Sequence, residues 1–122
     1  MPVERSLAAT GFNELIHHPS RLAVLAFLSG CVEADFALVR DRCELSDSAL
    51  SKITRTLEEA GYVGVRKGRV SRKPRTWLYL TAEGADALAA HLDALHAIAA
   101  DARSAAAQHS EPATEDAADR PR

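Results

Sequence analysis

Aromatic side chains are scarce in this chain: three Phe, two Tyr and one Trp among 122 residues. A core built on stacked rings is excluded, so Ala, Leu and Val must supply most of the buried volume, which favours helices. Cysteine is rarer still, with only Cys31 and Cys43. The small buried hydrophobe is the favoured role for each thiol, with a redox pair and a metal site as the alternatives. No stretch is long and apolar enough to span a membrane. The N-terminus carries Glu4 and Arg5 and lacks the apolar run of a signal peptide. A cytoplasmic location with reduced thiols is therefore expected. A Gly-rich phosphate loop, a nucleophile–base pairing and a metal-ligand cluster are all missing, so neither an enzyme nor a cofactor is expected.

What is present is unevenly distributed. The length suits one domain, and the formal net charge is −2. Residues 34–81 nevertheless carry ten Lys/Arg against six Asp/Glu, a balance of +4, whereas residues 82–122 carry three against eight, a balance of −5. Local charge is the better guide to an anionic partner, because screening limits its reach to about 10 Å at moderate salt.

Residues 1–10 read as a loose arm. Residues 11–18 suggest a short first helix with Phe12, Leu15 and Ile16 apolar. Pro19 suits the first position of a new helix, which carries Leu22, Val24, Leu25 and Leu28 and stops at Gly30. Residues 34–42 read as another short helix. A turn through Cys43, Glu44 and Leu45 then reaches Ser46, a good N-cap, with Asp47 in the positive first turn. Leu50, Ile53, Leu57 and Ala60 follow at steps of three, four and three, one buried stripe of a helix over 46–60. Gly61 supplies its left-handed end. Residues 62–66 and 77–80 alternate as two short strands, joined by a charged connection over 67–75 with Gly68 and Pro74 as breakers. Thr81 caps a long helix over 82–107, and residues 108–122 read as a disordered acidic tail.

Helix, turn, helix, hairpin, helix is the order of a winged helix-turn-helix, mainly α with a two-stranded wing. The stripe of the 46–60 helix turns Ser46, Ser48, Ser51, Lys52, Arg55 and in part Thr56 outward. Ser and Thr bond either kind of base edge, while Lys52 and Arg55 suit guanine O6/N7 or a phosphate. The hairpin holds Arg66, Lys67, Arg69, Arg72, Lys73 and Arg75 with no acid among them. Six clustered cations repel one another unless something anionic is near. Leu88, Leu92, Leu95, Ala99 and Ala102 form a heptad-like seam on the last helix. That helix is too long for so small a core, so the seam is expected to pair with a second copy of the chain.

The residues carry a resemblance. Pro19-Ser20-Arg21, Leu50-Ser51-Lys52, the run Leu57 to Val63 and above all the run Pro74 to Gly84 are together similar to compact winged-helix regulators of the MarR and ArsR groups. The resemblance covers residues 12–100. It implies a dimeric DNA-binding repressor, with the 46–60 helix in the major groove and the wing on the backbone or minor groove. The N-terminal part is shorter than in full MarR-type proteins, and the paired-cysteine metal motif of ArsR-type sensors is absent. The expected partners are double-stranded DNA and a second protomer, with no membrane and with any small-molecule effector unassigned. A protein-docking scaffold is the alternative function. His17, His18, His91 and His96 read as structural or solvated, Trp77 as a core anchor, and Gly84 as a site of close helix–strand packing.

Overall fold

A computed structural model describes residues 10–119, with side chains over 10–109. In chain order the elements are α1 (Pro19–Ser29), β1 (Ala34–Asp35), α2 (Phe36–Arg42), α3 (Asp47–Glu59), β2 (Val63–Val70), β3 (Lys73–Leu80) and α4 (Ala82–Asp119). The three strands form one antiparallel sheet in the order β1-β3-β2.

The core lies where the apolar stripes of α1, α2 and α3 meet the base of the sheet. Val24, Leu25 and Leu28 from α1, Val39 from α2, Leu50, Ile53 and Leu57 from α3, Val63 from β2, Leu78 from β3 and Leu88 from α4 are all buried there. Of the stripe that the spacing predicts for α3, Leu50, Ile53 and Leu57 are buried, while Ala60 is the half-buried C-cap. Thr54 joins the stripe, with Oγ1 buried and unpartnered among the described residues.

Each end of α3 is set by local chemistry. The Ser46 hydroxyl accepts from the Ala49 N–H at 3.1 Å. At the other end Gly61 has φ +84, a left-handed backbone that glycine adopts without strain because it has no Cβ. Gly61 and Tyr62 then donate to the carbonyls of Glu58 and Leu57, closing the last turn. Tyr62 opens the wing and also receives α4. A Cβ on Gly84 would lie 2.1 Å from the Tyr62 carbonyl oxygen, so only glycine lets α4 start this close to the strand.

Several expectations fail on the structure. Residues 11–18 form turns rather than a helix. Asn13 Oδ1 accepts from Ile16 N–H there, a side-chain bond that competes with helix continuation. The 34–42 segment is not helical throughout: Ala34 and Asp35 pair with Leu78 and Trp77 as β1, and Asp35 caps α2 by accepting from Ala37 N–H. The wing is therefore part of a three-stranded sheet. Its two long strands run to a two-residue turn at Ser71–Arg72 instead of a nine-residue loop. Gly68 and Pro74 pair with Arg75 and Arg69 inside the ladder. Pro74 is tolerated because β1 covers β3 only at residues 77–78, leaving it on a free edge. The last helix runs through Asp119, past the predicted end at 107. Residues 1–9 of the expected 1–10 arm and the chain end at 120–122 lie outside the described residues.

His91 is the buried histidine, 0% exposed on α4. Its Nδ1 accepts from Asn13 N–H at 2.9 Å, so its proton sits on Nε2, which faces His17 Nδ1 at 3.2 Å. Phe12 packs on both rings at 4.8 and 4.9 Å. Burial, and then the nearby His17, hold His91 below its ordinary value of 6.5. The unfolded chain therefore binds this proton first. Its contribution to stability is complete above about pH 6.5 and falls as the pH drops below it, by at most about 1.4 kcal/mol per unit. Urea unfolding between about pH 7.5 and about pH 5 should show this loss. His91→Gln should flatten the profile relative to the unsubstituted chain, and an unchanged slope would remove His91 as the cause.

Candidate nucleic-acid interface

Burial of Leu50, Ile53 and Leu57 leaves the opposite side of α3 in solvent. Ser46, Ser48, Ser51, Lys52 and Arg55 are all exposed there, and Thr56 is half-buried. The N-terminal end of α3 is held by Arg40 of α2, which donates to Asp41 and Asp47, each at 2.9 Å. The guanidinium offsets the Asp47 charge on the end of the helix that carries the serines. The turn between α2 and α3 passes through Glu44 at φ +57.

The pairing of β2 with β3 divides the wing cations by face, because residues directly opposite share a side and neighbours alternate. Val63/Leu80, Val65/Leu78, Lys67/Thr76 and Arg69/Pro74 form one face, which begins in the core at Val63. Gly64/Tyr79, Arg66/Trp77, Gly68/Arg75 and Val70/Lys73 form the other. A groove of about 700 Å³ separates α3 from the first face. Ser51, Arg55 and the acid Glu58 line it from the helix, Lys67, Arg75 and Thr76 line it from the wing, and Asp35 lines it from β1. The helix face and the wing are thus on the same side of the molecule.

The cations differ in their partners. Arg66 donates from Nε to Glu33 Oε1 at 2.9 Å and from a terminal nitrogen to Oε2 at 2.6 Å, while its guanidinium lies 3.9 Å above the centre of the Trp77 ring. Arg75 donates to Asp35 Oδ2 at 2.6 Å. Hydrogen bonding from Arg66 holds the Glu33 carboxyl below its usual range. Burial pushes Asp35 up, but the bonds from Arg75 and Ala37 outweigh it and leave it lowered. Arg69 donates to the Arg72 carbonyl oxygen at 3.1 Å. Among the described residues Lys67, Arg72 and Lys73 have no acidic partner. The acids that meet the wing come from the β1 region, far along the chain, and the run of six cations gave no sign of them.

Two further readings change. Trp77 is half-buried beneath Arg66 and not a core anchor. Leu88, expected on the intermolecular seam, is 4% exposed in the core. Leu92 and Ile98 are exposed instead, Leu95 and Ala99 are half-buried, and Ala102 is exposed. Cys31 and Cys43 are half-buried against the core, and burial pushes the Cys43 thiol up, away from reactivity. No group of three or more potential metal ligands and no helix long and apolar enough to cross a membrane occurs among the described residues.

A helix-turn-helix with a polar second helix and a basic wing beside it defines the class: a winged-helix DNA-binding transcriptional regulator. Residues 20–99 match the family of the winged helix DNA-binding domain, and the chain belongs to that family. Its class is that of regulators, not of enzymes. No match was found among curated proteins. Among solved structures the chain is similar to a transcriptional regulator homologue from Pyrococcus horikoshii OT3, with 25% identity and a TM-score of 0.72 over 83% of this chain and 97% of that one. It is similar to NolR from Sinorhizobium fredii, with 27% identity and a TM-score of 0.57 over 79% and 87% of the two chains. A MarR family transcriptional regulator from Silicibacter pomeroyi DSS shares the fold at 21% identity and a TM-score of 0.58, over 81% and 62%.

The wing tip carries a testable tension. Ser71 and Arg72 both have positive φ, 51 and 69, the primed turn that favours Asn-Gly. Arg72→Gly should stabilise the fold by about 1 kcal/mol in urea unfolding. The same variant should bind duplex DNA more weakly, and unchanged DNA affinity would show that the tip cation does not touch phosphate.

Proposed function

We propose that this protein represses transcription as a homodimer that binds a roughly palindromic DNA site. In this reading α3 enters the major groove, where Ser46, Ser48, Ser51, Lys52 and Arg55 meet base edges and phosphates. The wing lies on the backbone or minor groove, with Lys67, Arg69, Arg72 and Lys73 toward the phosphates. The observation that carries it is the shared groove: Ser51 and Arg55 face Lys67 across it, within reach of one duplex. Arg55→Ala should cost about 1–3 kcal/mol on the preferred sequence and relax discrimination at one position. The Arg72→Ala/Lys73→Ala double variant should weaken binding to all sequences alike. It should also flatten the dependence of log affinity on log salt by about 0.9 per lost phosphate contact. Gel-shift titrations at two salt concentrations read both effects. Binding by the double variant that matches the unsubstituted protein removes the wing from the interface.

Dimerisation through α4 is supported by what the protomer leaves uncovered. The helix packs on α1 within the protomer. Leu92 at 36% and Ile98 at 41% exposure remain outside, with Leu95, Ala99 and Ala102 beside them on the helix. Two such helices would bury these side chains against each other and set two α3 helices at a fixed spacing, which a palindrome matches. Light scattering at micromolar concentration should give twice the 13.1 kDa chain mass. A Leu92→Glu/Ile98→Glu variant should give the single mass, and a monomer in the unsubstituted protein would overturn the dimer.

A further inference from the structure

We propose that Glu33 and Asp35 are positioning residues for the wing, and that they hold Arg66 and Arg75 away from DNA as internal counterions. The inference deepens the DNA-binding reading and rests on it. Three independent features carry it.

The first is direction. Strand alternation puts Arg66, Lys73 and Arg75 on the face of the hairpin opposite Val65 and Lys67, which point toward α3, and of those three only Arg66 and Arg75 meet a carboxylate among the described residues, Arg75 and Asp35 doing so at the border of the groove. The second is engagement. Both Glu33 oxygens are taken by Arg66, whose guanidinium also lies on Trp77, so its flat face and its donor fork are both occupied. The third is connectivity. Asp35 holds the α2 N-terminus through Oδ1 and Arg75 through Oδ2, and its backbone pairs with Trp77.

The hairpin needs such a device. β1 supports β3 only at Trp77 and Leu78, so the rest of the ribbon projects as two strands. Isolated two-stranded ribbons are marginal and twist freely. Two carboxylates at the base tie the ribbon to the helix-turn-helix through α2 and fix the angle at which Lys67, Arg72 and Lys73 meet a phosphate.

The test uses the full chain and a fluorescent mixed-sequence duplex, titrated between about 50 and 200 mM salt. The readout is the slope of log affinity against log salt, which counts phosphate contacts and is insensitive to a purely structural loss. Lys67→Gln and Lys73→Gln should each flatten it by about 0.9, and Arg66→Gln should leave it unchanged. Glu33→Gln frees an arginine beside the backbone and should steepen it by about the same amount, with Glu33→Gln/Arg66→Gln returning it to the original value. Asp35→Asn keeps an N-cap side chain on α2 and should steepen the slope in the same way.

A second readout needs no DNA. Trp77 is the single tryptophan, and its emission in Glu33→Gln should move toward that of Arg66→Gln as the guanidinium leaves the ring. Emission identical to the original in both variants would show that the latch is not formed in solution. Flattening of the slope by Arg66→Gln, with no steepening in Glu33→Gln, would assign Arg66 to phosphate and overturn the proposal. Failure of the unsubstituted protein to bind the duplex at any salt would instead overturn the DNA-binding reading, with the emission measurement still reporting on the latch.

Discussion

The architecture depends on one junction, the point where α3 ends, the wing begins and α4 starts. Tyr62 donates its N–H to Leu57 and accepts from Thr81 N–H at its carbonyl, and the Thr81 hydroxyl donates to the Gly61 carbonyl oxygen at 2.6 Å while accepting from Gly84 N–H at 2.9 Å. Asn13 adds a bond from its amide to the Tyr62 hydroxyl at 2.9 Å. Helix ends leave backbone groups without partners, and here each element's orphans are satisfied by the next. The direction of α3 therefore sets the direction of the wing, and both are referred to the long helix. A reading head built on separate loops would lack this shared reference.

The parts legible in the sequence are those governed by local chemistry. The α3 stripe, its Ser46 cap and its Gly61 end could be read because apolar period, cap and breaker agree within residues 46–61. Its polar face followed from the same period. The illegible parts depend on contacts distant in the chain. β1 is two residues long, too short to show a period. Gly68 and Pro74 have the composition of breakers, and only the pairing of one strand on the other reveals that they lie inside a ladder. Ser71 and Arg72 adopt a turn that Asn-Gly usually announces. Leu88 belonged to a correct repeat, but a repeat cannot say which turns of a helix its own core claims.

Charge shows the same limit more sharply. Six cations without an intervening acid suggested a uniformly unpaired patch. Folding brings Glu33 to Arg66 and Asp35 to Arg75 across sequence separations of 33 and 40 residues. These pairs are exposed and add little to stability by themselves. Their effect is on arrangement, since they sort a basic segment into tethered and free members. Alternation along the strands then puts Lys67 and Arg69 on the α3 side of the ribbon and Arg66, Lys73 and Arg75 on the other, a distinction that no count of Lys and Arg contains.

Pro74 has one more consequence. Beyond the two residues that β1 covers, β3 runs along an open sheet border, where an unpaired row of amides would invite a strand from another molecule. Proline offers no amide there, and the cationic side chains flanking it repel a like neighbour. The ribbon can therefore protrude from the body without recruiting further ribbons into a continuous sheet, so solubility and reach are secured by the same residue.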